Sequence, residues 1–173
     1  IKPETYRKFE AFQEHEAFVG RIVFPIRDIS GRIVAFNARH MTGGTPKYLI
    51  SPPGARMPLF PAKIDPIQAS VILVEGIYDM INLHDKGLTN AVCCFGTRNI
   101  NEEKLSILRL QGIEEAIVFF DGDEAGQTAA AKVQEMCENV DLLTRNINVV
   151  DIDPGALTEN QVEKLKDKLY KGV

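Results

Sequence analysis

Apolar residues follow two different rhythms along this 173-residue chain. In the first part, residues 21–27 and 32–39 are rich in β-branched and aromatic side chains, and residues 28–31 between them have the chemistry of a turn. This pattern predicts a β-hairpin, which a short extended segment at residues 47–49 follows. Pro25 favours an edge strand, because proline has no N–H to give to a second neighbouring strand.

From residue 69 onward, short apolar runs alternate with segments of helical length. Uninterrupted apolar runs are typical of strands buried on both faces of a parallel sheet, and the segments between them are typical of covering helices. The predicted strands are 69–74, 91–95, 116–120 and 147–150, and the predicted helices are 76–86, 101–111, 124–139 and 158–170. Asn101 and Thr158 are expected to cap the helices that follow them.

The change of rhythm predicts two parts. Six prolines between residues 46 and 66 indicate an irregular connector, so we place a domain boundary near residue 65. The predicted fold class is α/β: residues 66–173 form a parallel Rossmann-like sheet flanked by helices, and residues 1–65 form part of a smaller basic α+β subdomain. Within that subdomain, residues 4–18 form either a helix or a polar tail.

The balance of charge also differs between the two predicted parts of the chain. Residues 1–63 contain ten Lys and Arg against five Asp and Glu, whereas residues 64–173 contain ten against nineteen. The split describes either two solvated surfaces of opposite sign or a basic nucleic-acid track that leads to an acidic metal site.

Composition excludes several classes of protein. No run approaches the roughly 20 apolar residues of a membrane span, and the charged beginning of the chain does not resemble a signal peptide. The three cysteines, two of them adjacent at Cys93 and Cys94, give neither a disulfide framework nor a zinc cluster. We therefore predict a cytoplasmic protein that does not bind membranes.

Carboxylates follow the ends of three predicted strands. They are Glu75 and Asp79 after the first strand, Asp121 and Asp123 after the third, and Asp151 and Asp153 after the fourth. The carboxyl ends of parallel strands meet at one sheet edge, where neighbouring carboxylates require a proton or a cation between them. Oxygen-only ligands suit Mg²⁺ or Mn²⁺. The alternative is structural: Asp79 and Asp123 serve helix N-termini, and the last pair belongs to a turn.

Basic and aromatic residues of the first part provide a possible surface for nucleic acid or nucleotides. They are Arg39, Lys47, Tyr48 and Arg56, and Thr97 and Arg98 face the same sheet edge from the loop after the second strand. Lys and Arg contact phosphates and a Tyr ring stacks on a base, but the same residues also suit an ordinary solvated surface.

Two groups of motifs resemble one known family. The Glu-Gly-x-x-Asp motif at residues 75–79 and the Asp-Gly-Asp-x-Ala-Gly motif at residues 121–126 resemble the TOPRIM domain of topoisomerases, primases and related nucleases. Arg-Ile-Val-Phe-Pro-Ile-Arg-Asp at residues 21–28, Arg39, and Thr-Pro-Lys-Tyr-Leu-Ile-Ser-Pro at residues 45–52 resemble the catalytic core of DnaG-type primases of bacteria, phages or mobile elements.

This resemblance implies a DNA primase, an enzyme that joins ribonucleoside triphosphates into RNA primers on a single-stranded DNA template. It implies Glu75, Asp121 and Asp123 as catalytic residues, and Glu75, Asp79, Asp121, Asp123 and Asp153 as ligands of Mg²⁺ or Mn²⁺. Family members usually carry Asp-Pro-Asp where this chain has Asp153-Pro154-Gly155, and Asp151 is the residue expected to compensate. Arg39 and Lys47 match basic positions that contact template or nucleotide.

Other readings of the same motifs remain open. One is a TOPRIM nuclease or topoisomerase-like enzyme, although a topoisomerase also needs a catalytic tyrosine on another domain. The other is a catalytically inert module that binds nucleic acid. In the primase reading, we expect contacts with a replicative helicase to involve regions outside this chain.

Overall fold

The computed structural model describes residues 1–13, 15–147 and 153–171, and it contains two sheets. The strands are β1 (Arg21–Arg27), β2 (Ile33–His40), β3 (Tyr48–Ser51), β4 (Ser70–Val74), β5 (Ala91–Cys93), β6 (Glu115–Val118) and β7 (Leu143–Asn146). The helices are α1 (Pro3–Lys8), α2 (Ile77–Asp85), α3 (Glu102–Leu110), α4 (Glu124–Glu138) and α5 (Glu159–Tyr170). Short 3-10 turns lie at Glu16–Phe18, Thr97–Asn99 and Pro154–Ala156.

The first sheet is antiparallel, with the strand order β1-β2-β3. The predicted hairpin is confirmed, with Pro25 of β1 opposite Phe36 of β2. Because β1 pairs with one strand of this sheet only, Pro25 occupies the edge strand that its missing N–H requires. On the other side of β2, Arg39 lies opposite Tyr48 of β3.

The second sheet is parallel, with the strand order β5-β4-β6-β7. Every residue of the central strand β4 is buried, as expected where helices cover both faces. The predicted α/β fold class is therefore confirmed. The predicted caps are also present, since Asn101 accepts a hydrogen bond from the Lys104 N–H and Thr158 forms a capping box with Gln161.

Within the described residues, the fourth strand lies before the predicted range 147–150. It comprises Leu143–Asn146 and pairs with β6. Because β7 is an edge strand, none of its four positions is buried and three of them carry polar residues, whereas the prediction followed the apolar run behind it. Residues 148–150 of that prediction lie outside the described residues. The second strand also ends early, at Cys93, because Phe95 has a φ of 53° that no strand accommodates.

The hydrophobic core crosses from the antiparallel sheet to the parallel one. Phe24 and Ile26 of β1 belong to the same buried cluster as Ile72 and Val74 of β4 and Met80 of α2. A second cluster on the other face of β4 packs against α3 and α4. The domain boundary near residue 65 stays a prediction. Among the described residues, no helix has both the length and the apolarity to cross a membrane.

His84, at the end of α2, is a titratable group inside this core. Its Nε2 lies 2.8 Å from the Ala91 carbonyl oxygen, its Nδ1 lies 3.1 Å from Lys8 Nζ, and its ring packs edge-on against Phe9. Burial, aided by the Lys8 charge, lowers the pKa of His84 to about 4. The folded protein therefore keeps this imidazole neutral at pH values where an unfolded chain takes up a proton.

We predict that His84 makes the protein sensitive to acid. Its contribution to stability is complete above pH 6.5, the ordinary histidine pKa, and is lost as the pH falls toward 4. The loss amounts to about 3 kcal/mol. Urea unfolding at several pH values should show a flatter dependence in His84→Gln than in the parent protein. The exposed control His15→Gln should keep the parent dependence, and equal slopes in His84→Gln and the parent would contradict the assignment.

Candidate functional site

Parallel pairing brings the first two predicted carboxylates to one edge of the second sheet. The pairing of β4 with β6 continues past the strand ends, where the Phe119 N–H donates to the Leu73 carbonyl oxygen at 2.9 Å. Glu75 directly follows β4 and Asp121 follows β6 after two buried phenylalanines. The two acidic side chains are therefore electrostatic neighbours, as their pKa values show below.

Asp79 and Asp153 form a second pair at the same edge. Asn82 of α2 donates hydrogen bonds to the carbonyl oxygens of Pro154 (2.9 Å) and Leu157 (3.1 Å). This buried amide fastens the Pro154–Ala156 turn to the helix that carries Asp79. A Cβ on Gly155 would lie only 2.7 Å from Asp79 Oδ1 and 3.0 Å from Asp153 Oδ1. Both carboxylates therefore flank Gly155, which leaves no room there for another side chain unless its neighbours move.

Three of these aspartates also have structural partners. One oxygen of each accepts a main-chain N–H at 2.7 Å: Gly76 for Asp79, Gly126 for Asp123 and Gly155 for Asp153. These aspartates therefore do stabilise helix N-termini and a turn, as the structural alternative predicted. A carboxylate has two oxygens and about four acceptor sites, so the second oxygen of each remains available for another ligand.

The pKa values record how close the carboxylates are. Burial, followed by the charges of Asp121 and Asp123, raises the pKa of Glu75. Burial and the charges of Asp153, Asp121 and Glu75 raise the pKa of Asp79 to about 7, although the Gly76 N–H opposes the shift. Burial, Asp153 and Asp123 raise the pKa of Asp121, while Lys47 lowers it. The edge therefore concentrates negative charge that the protein itself only partly neutralises.

This donor set suits a hard divalent cation. All the side chains concerned present oxygen, and a cation would relieve the repulsion that raises their pKa values. Within the described ranges, no group of three or more His, Cys, Asp and Glu side chains is arranged to hold a metal ion. Mg²⁺ commonly takes one or two carboxylates and completes its shell with water and substrate phosphates, so a site shared with substrate fits these residues.

The basic subdomain contributes two cations and one aromatic ring to the same edge, where they meet the Tyr78 ring of α2. Lys47 is the basic group that lowers the pKa of Asp121, and its Nζ lies 5.7 Å from the centre of the Tyr48 ring. Arg39 Nη1 donates to the Tyr48 hydroxyl at 3.1 Å, and the Arg39 guanidinium lies 3.9 Å from the centre of the Tyr78 ring. Three of the predicted binding residues thus come together beside the carboxylates.

The remaining predicted residues line two grooves at the side of this edge. Thr97 and Arg98 face Asp123 across a groove of about 850 Å³ between the Thr97–Asn99 turn and α4. Arg56 lines a different groove of about 580 Å³, which it shares with Arg98. The structure therefore separates Arg56 from Asp123 and places Arg98 between them. Asp151 lies outside the described residues.

Three residues that shape the site were not singled out from the sequence. Gly126 allows α4 to approach the Asp121 main chain, Asn82 fastens the turn that follows Asp153, and Tyr78 supports Arg39. Asn82 gave a usable signal, because it is a polar residue among the apolar positions of α2. Gly126 gave a partial signal as the last residue of the Asp-Gly-Asp-x-Ala-Gly motif. Tyr78 gave none, since its role depends on contacts between distant elements.

A sequence model described as the Toprim domain matches residues 69–147, the part of the chain that forms the parallel sheet and carries Glu75, Asp79, Asp121 and Asp123. A second model, described as the DNA primase catalytic core, N-terminal domain, matches residues 4–60. The chain belongs to the family of DnaG-type primase catalytic cores.

Individual relatives agree with this assignment. The DNA primase of Pseudomonas putida is 35% identical over 137 residues, a match that covers 73% of this chain and 20% of that protein. The chain thus spans about a fifth of the length of this curated relative. A solved DnaG primase catalytic domain bound to single-stranded DNA superposes with a TM-score of 0.73 at 26% identity, over 97% of this chain and 59% of that one.

A more distant structure supports the fold alone. The Aquifex aeolicus primase, comprising its zinc-binding and RNA polymerase domains, gives a TM-score of 0.80 at 22% identity. The alignment covers 96% of this chain and 52% of that one.

We predict that Gly126→Ala disturbs the site through the backbone. The added Cβ would lie 2.1 Å from the Asp121 carbonyl oxygen, so either α4 or the Asp121 loop must move. We expect a loss of about 1–3 kcal/mol in unfolding free energy, together with chemical-shift changes at residues 121–123. Glu135→Ala, at an exposed position of the same helix, is the control and should change stability by less than about 0.5 kcal/mol. A Gly126→Ala protein as stable as the parent would contradict the close approach.

Proposed function

We propose that this chain is the catalytic core of a DNA primase, a nucleotidyltransferase that builds RNA primers from ribonucleoside triphosphates on single-stranded DNA. One observation carries the proposal: Glu75, Asp79, Asp121 and Asp153 crowd one sheet edge, and Lys47, whose charge lowers the pKa of Asp121, comes from the basic subdomain. Such a site suits a substrate whose phosphates bind a divalent cation on one side and a basic surface on the other.

The acidic residues of the proposed site have two roles, catalysis and metal binding. Glu75, Asp121 and Asp123 are the proposed catalytic residues, and Asp79, Asp151 and Asp153 join them as proposed ligands of Mg²⁺ or Mn²⁺. A divalent cation, when bound, neutralises phosphate charge and lowers the pKa of a coordinated hydroxyl group.

The side chains themselves bind, orient and accept a proton. Glu75, whose pKa is raised, is the proposed acceptor of the proton that the primer 3′-hydroxyl loses. Lys47 and Arg39 bind phosphate oxygens and hold the triphosphate or template against the carboxylates. Tyr48 offers a ring for stacking or ribose packing.

The remaining proposed contacts concern longer substrates and partners. Arg56, Thr97 and Arg98 are proposed to contact the nucleic-acid strand outside the catalytic edge. Thr97 and Arg98 line the groove beside Asp123, and Arg56 lines the second groove, which Arg98 also borders. A replicative helicase is a proposed partner through regions beyond this chain, and the cytoplasm is the proposed location.

We predict that Asp121→Asn abolishes primer synthesis. The substitution keeps the shape of the side chain but removes the charge at the centre of the carboxylate group, so activity should fall at least about 100-fold. The assay combines the protein, single-stranded DNA, labelled ribonucleoside triphosphates and Mg²⁺ or Mn²⁺, and it counts new oligoribonucleotides on a gel.

The control for this experiment is Asp141→Asn. Asp141 is an exposed aspartate in the turn after α4, away from the carboxylate edge, and its φ of 55° is one that asparagine also tolerates. This variant should match the parent protein. Undiminished synthesis by Asp121→Asn would refute the assignment, shortened DNA would indicate a nuclease, and binding without any product would indicate an inert module.

A second prediction concerns Lys47. If its ammonium contacts one phosphate of the DNA, Lys47→Gln should weaken binding to single strands of any sequence and reduce the slope of log K against log salt by about 0.7. Fluorescence anisotropy with a labelled oligonucleotide at several salt concentrations measures both effects. Lys164→Gln, an exposed position on α5, is the matched control, and an unchanged slope in Lys47→Gln would exclude a phosphate contact.

A further inference from the structure

Tyr78 is the residue of the Glu-Gly-x-x-Asp motif for which the proposed function gives no role. It lies in the first turn of α2, directly before Asp79. Its ring meets Phe24 of β1 edge-on at 6.1 Å and Tyr6 of α1 at 6.4 Å between ring centres, so it packs against elements of the first part of the chain. Phe24 is fully buried, so the Tyr78 ring has a rigid support.

The exposed side of this aromatic group holds Arg39. The centre of the guanidinium lies 3.9 Å from the centre of the Tyr78 ring and 5.6 Å from that of Tyr48. The first distance is a close cation–π contact, well inside the roughly 6 Å at which such contacts are significant. Nη1 of the guanidinium also donates a hydrogen bond to the Tyr48 hydroxyl at 3.1 Å.

Among the described residues, no carboxylate forms an ion pair with Arg39. The arginines that form such pairs there are Arg7, Arg27, Arg32 and Arg145. A guanidinium has five N–H donors in a planar fork, and aromatic rings hold its face without using them. The charge of Arg39 therefore stays available to an anion.

We propose that Tyr78 is a positioning residue whose ring fixes the Arg39 guanidinium beside the carboxylate edge, where Arg39 binds a phosphate group of the substrate. Tyr78 and Asp79 are consecutive. The first turn of α2 therefore positions both the Arg39 guanidinium, through the Tyr78 ring, and a carboxylate that is a proposed metal ligand. This inference rests on the proposed function for its substrate, but the contact itself concerns phosphate binding and not the chemical step.

Phosphate could come from two sources in this site, a nucleoside triphosphate or the backbone of a DNA strand. The chemistry of recognition is the same for both, because the planar guanidinium donates paired hydrogen bonds to phosphate oxygens. Two separate binding titrations distinguish the sources, one with a non-hydrolysable ribonucleoside triphosphate and Mg²⁺, and the other with a fluorescein-labelled single-stranded oligonucleotide.

The test compares Tyr78→Leu, which removes the ring, with Tyr78→Phe, which keeps it. Loss of the stacking contact should weaken the binding of one of the two probes roughly tenfold. Tyr78→Phe should restore binding to within about twofold of the parent. In the primer assay, Tyr78→Leu should raise KM for the corresponding substrate by a similar factor and leave kcat nearly unchanged, which a general loss of structure would not do.

A double-mutant cycle separates positioning from a direct role. If Tyr78 acts through Arg39, Tyr78→Leu should have little further effect on binding in an Arg39→Gln background, so the two losses are not additive. Additive losses would overturn the proposal, and so would unchanged binding of both probes to Tyr78→Leu. Tyr170→Leu, which removes a half-buried ring that contacts Ser70 and Asn90 away from the carboxylates, controls for destabilisation.

The binding titrations keep this inference separate from the proposed function. Failure of the parent protein to make primers would refute primer synthesis and leave the phosphate-binding result intact. Normal primer synthesis with equal affinities in Tyr78→Leu and the parent would refute the role of Tyr78 alone.

Discussion

The parallel pairing of β4 with β6 is the constraint on which the rest of the site depends. Parallel strands end at the same sheet edge, so the two acidic motifs meet although 42 residues separate Asp79 from Asp121. β4 is buried on both faces, and its register with β6 places Leu73 opposite Val118 just before that edge. Burial disfavours the ionised form of the carboxylates at this edge and therefore raises the pKa values of Glu75, Asp79 and Asp121.

The antiparallel sheet completes this edge with the opposite charge. Phe24 and Ile26 share one hydrophobic cluster with β4 and α2, and main-chain hydrogen bonds join Phe60 to Cys93 of β5. These contacts bring Lys47 close to Asp121 and Arg39 over Tyr78. An acidic pocket next to cations on a second element is suited to polyanionic substrates, because the two charges act on different phosphates of the same molecule.

The sequence was sufficient to predict the strand-end carboxylates and the hairpin, because both leave local patterns. Glu75 and Asp121 follow apolar runs, and Pro25 marks an edge strand. The position of β7 could not be predicted in the same way, since its exposed residues Leu143 to Asn146 mix polar and apolar side chains at a sheet edge.

Contacts between distant elements were beyond the reach of local patterns. The stacking of Arg39 on Tyr78 joins a strand of the antiparallel sheet to helix α2, and the closeness of Gly126 to Asp121 depends on the path of the loop between them. Asn82 is intermediate: a polar residue in an apolar helix face signals a buried hydrogen bond but not its partners, which are the Pro154 and Leu157 carbonyl oxygens. Sequence patterns thus identified the charged groups, whereas the residues that hold these groups in place could be recognised only from three-dimensional contacts.

The central claim is that the carboxylates at this edge act together as one cation site. Diffraction from crystals grown with Mn²⁺, recorded at the manganese absorption edge, tests it directly because the anomalous signal locates the ion without assumptions about activity. If the carboxylates form one cation site, the anomalous peak of Mn²⁺ will contact carboxylate oxygens from the group Glu75, Asp79, Asp121, Asp123 and Asp153. A peak elsewhere on the protein, or none at millimolar Mn²⁺, would contradict it.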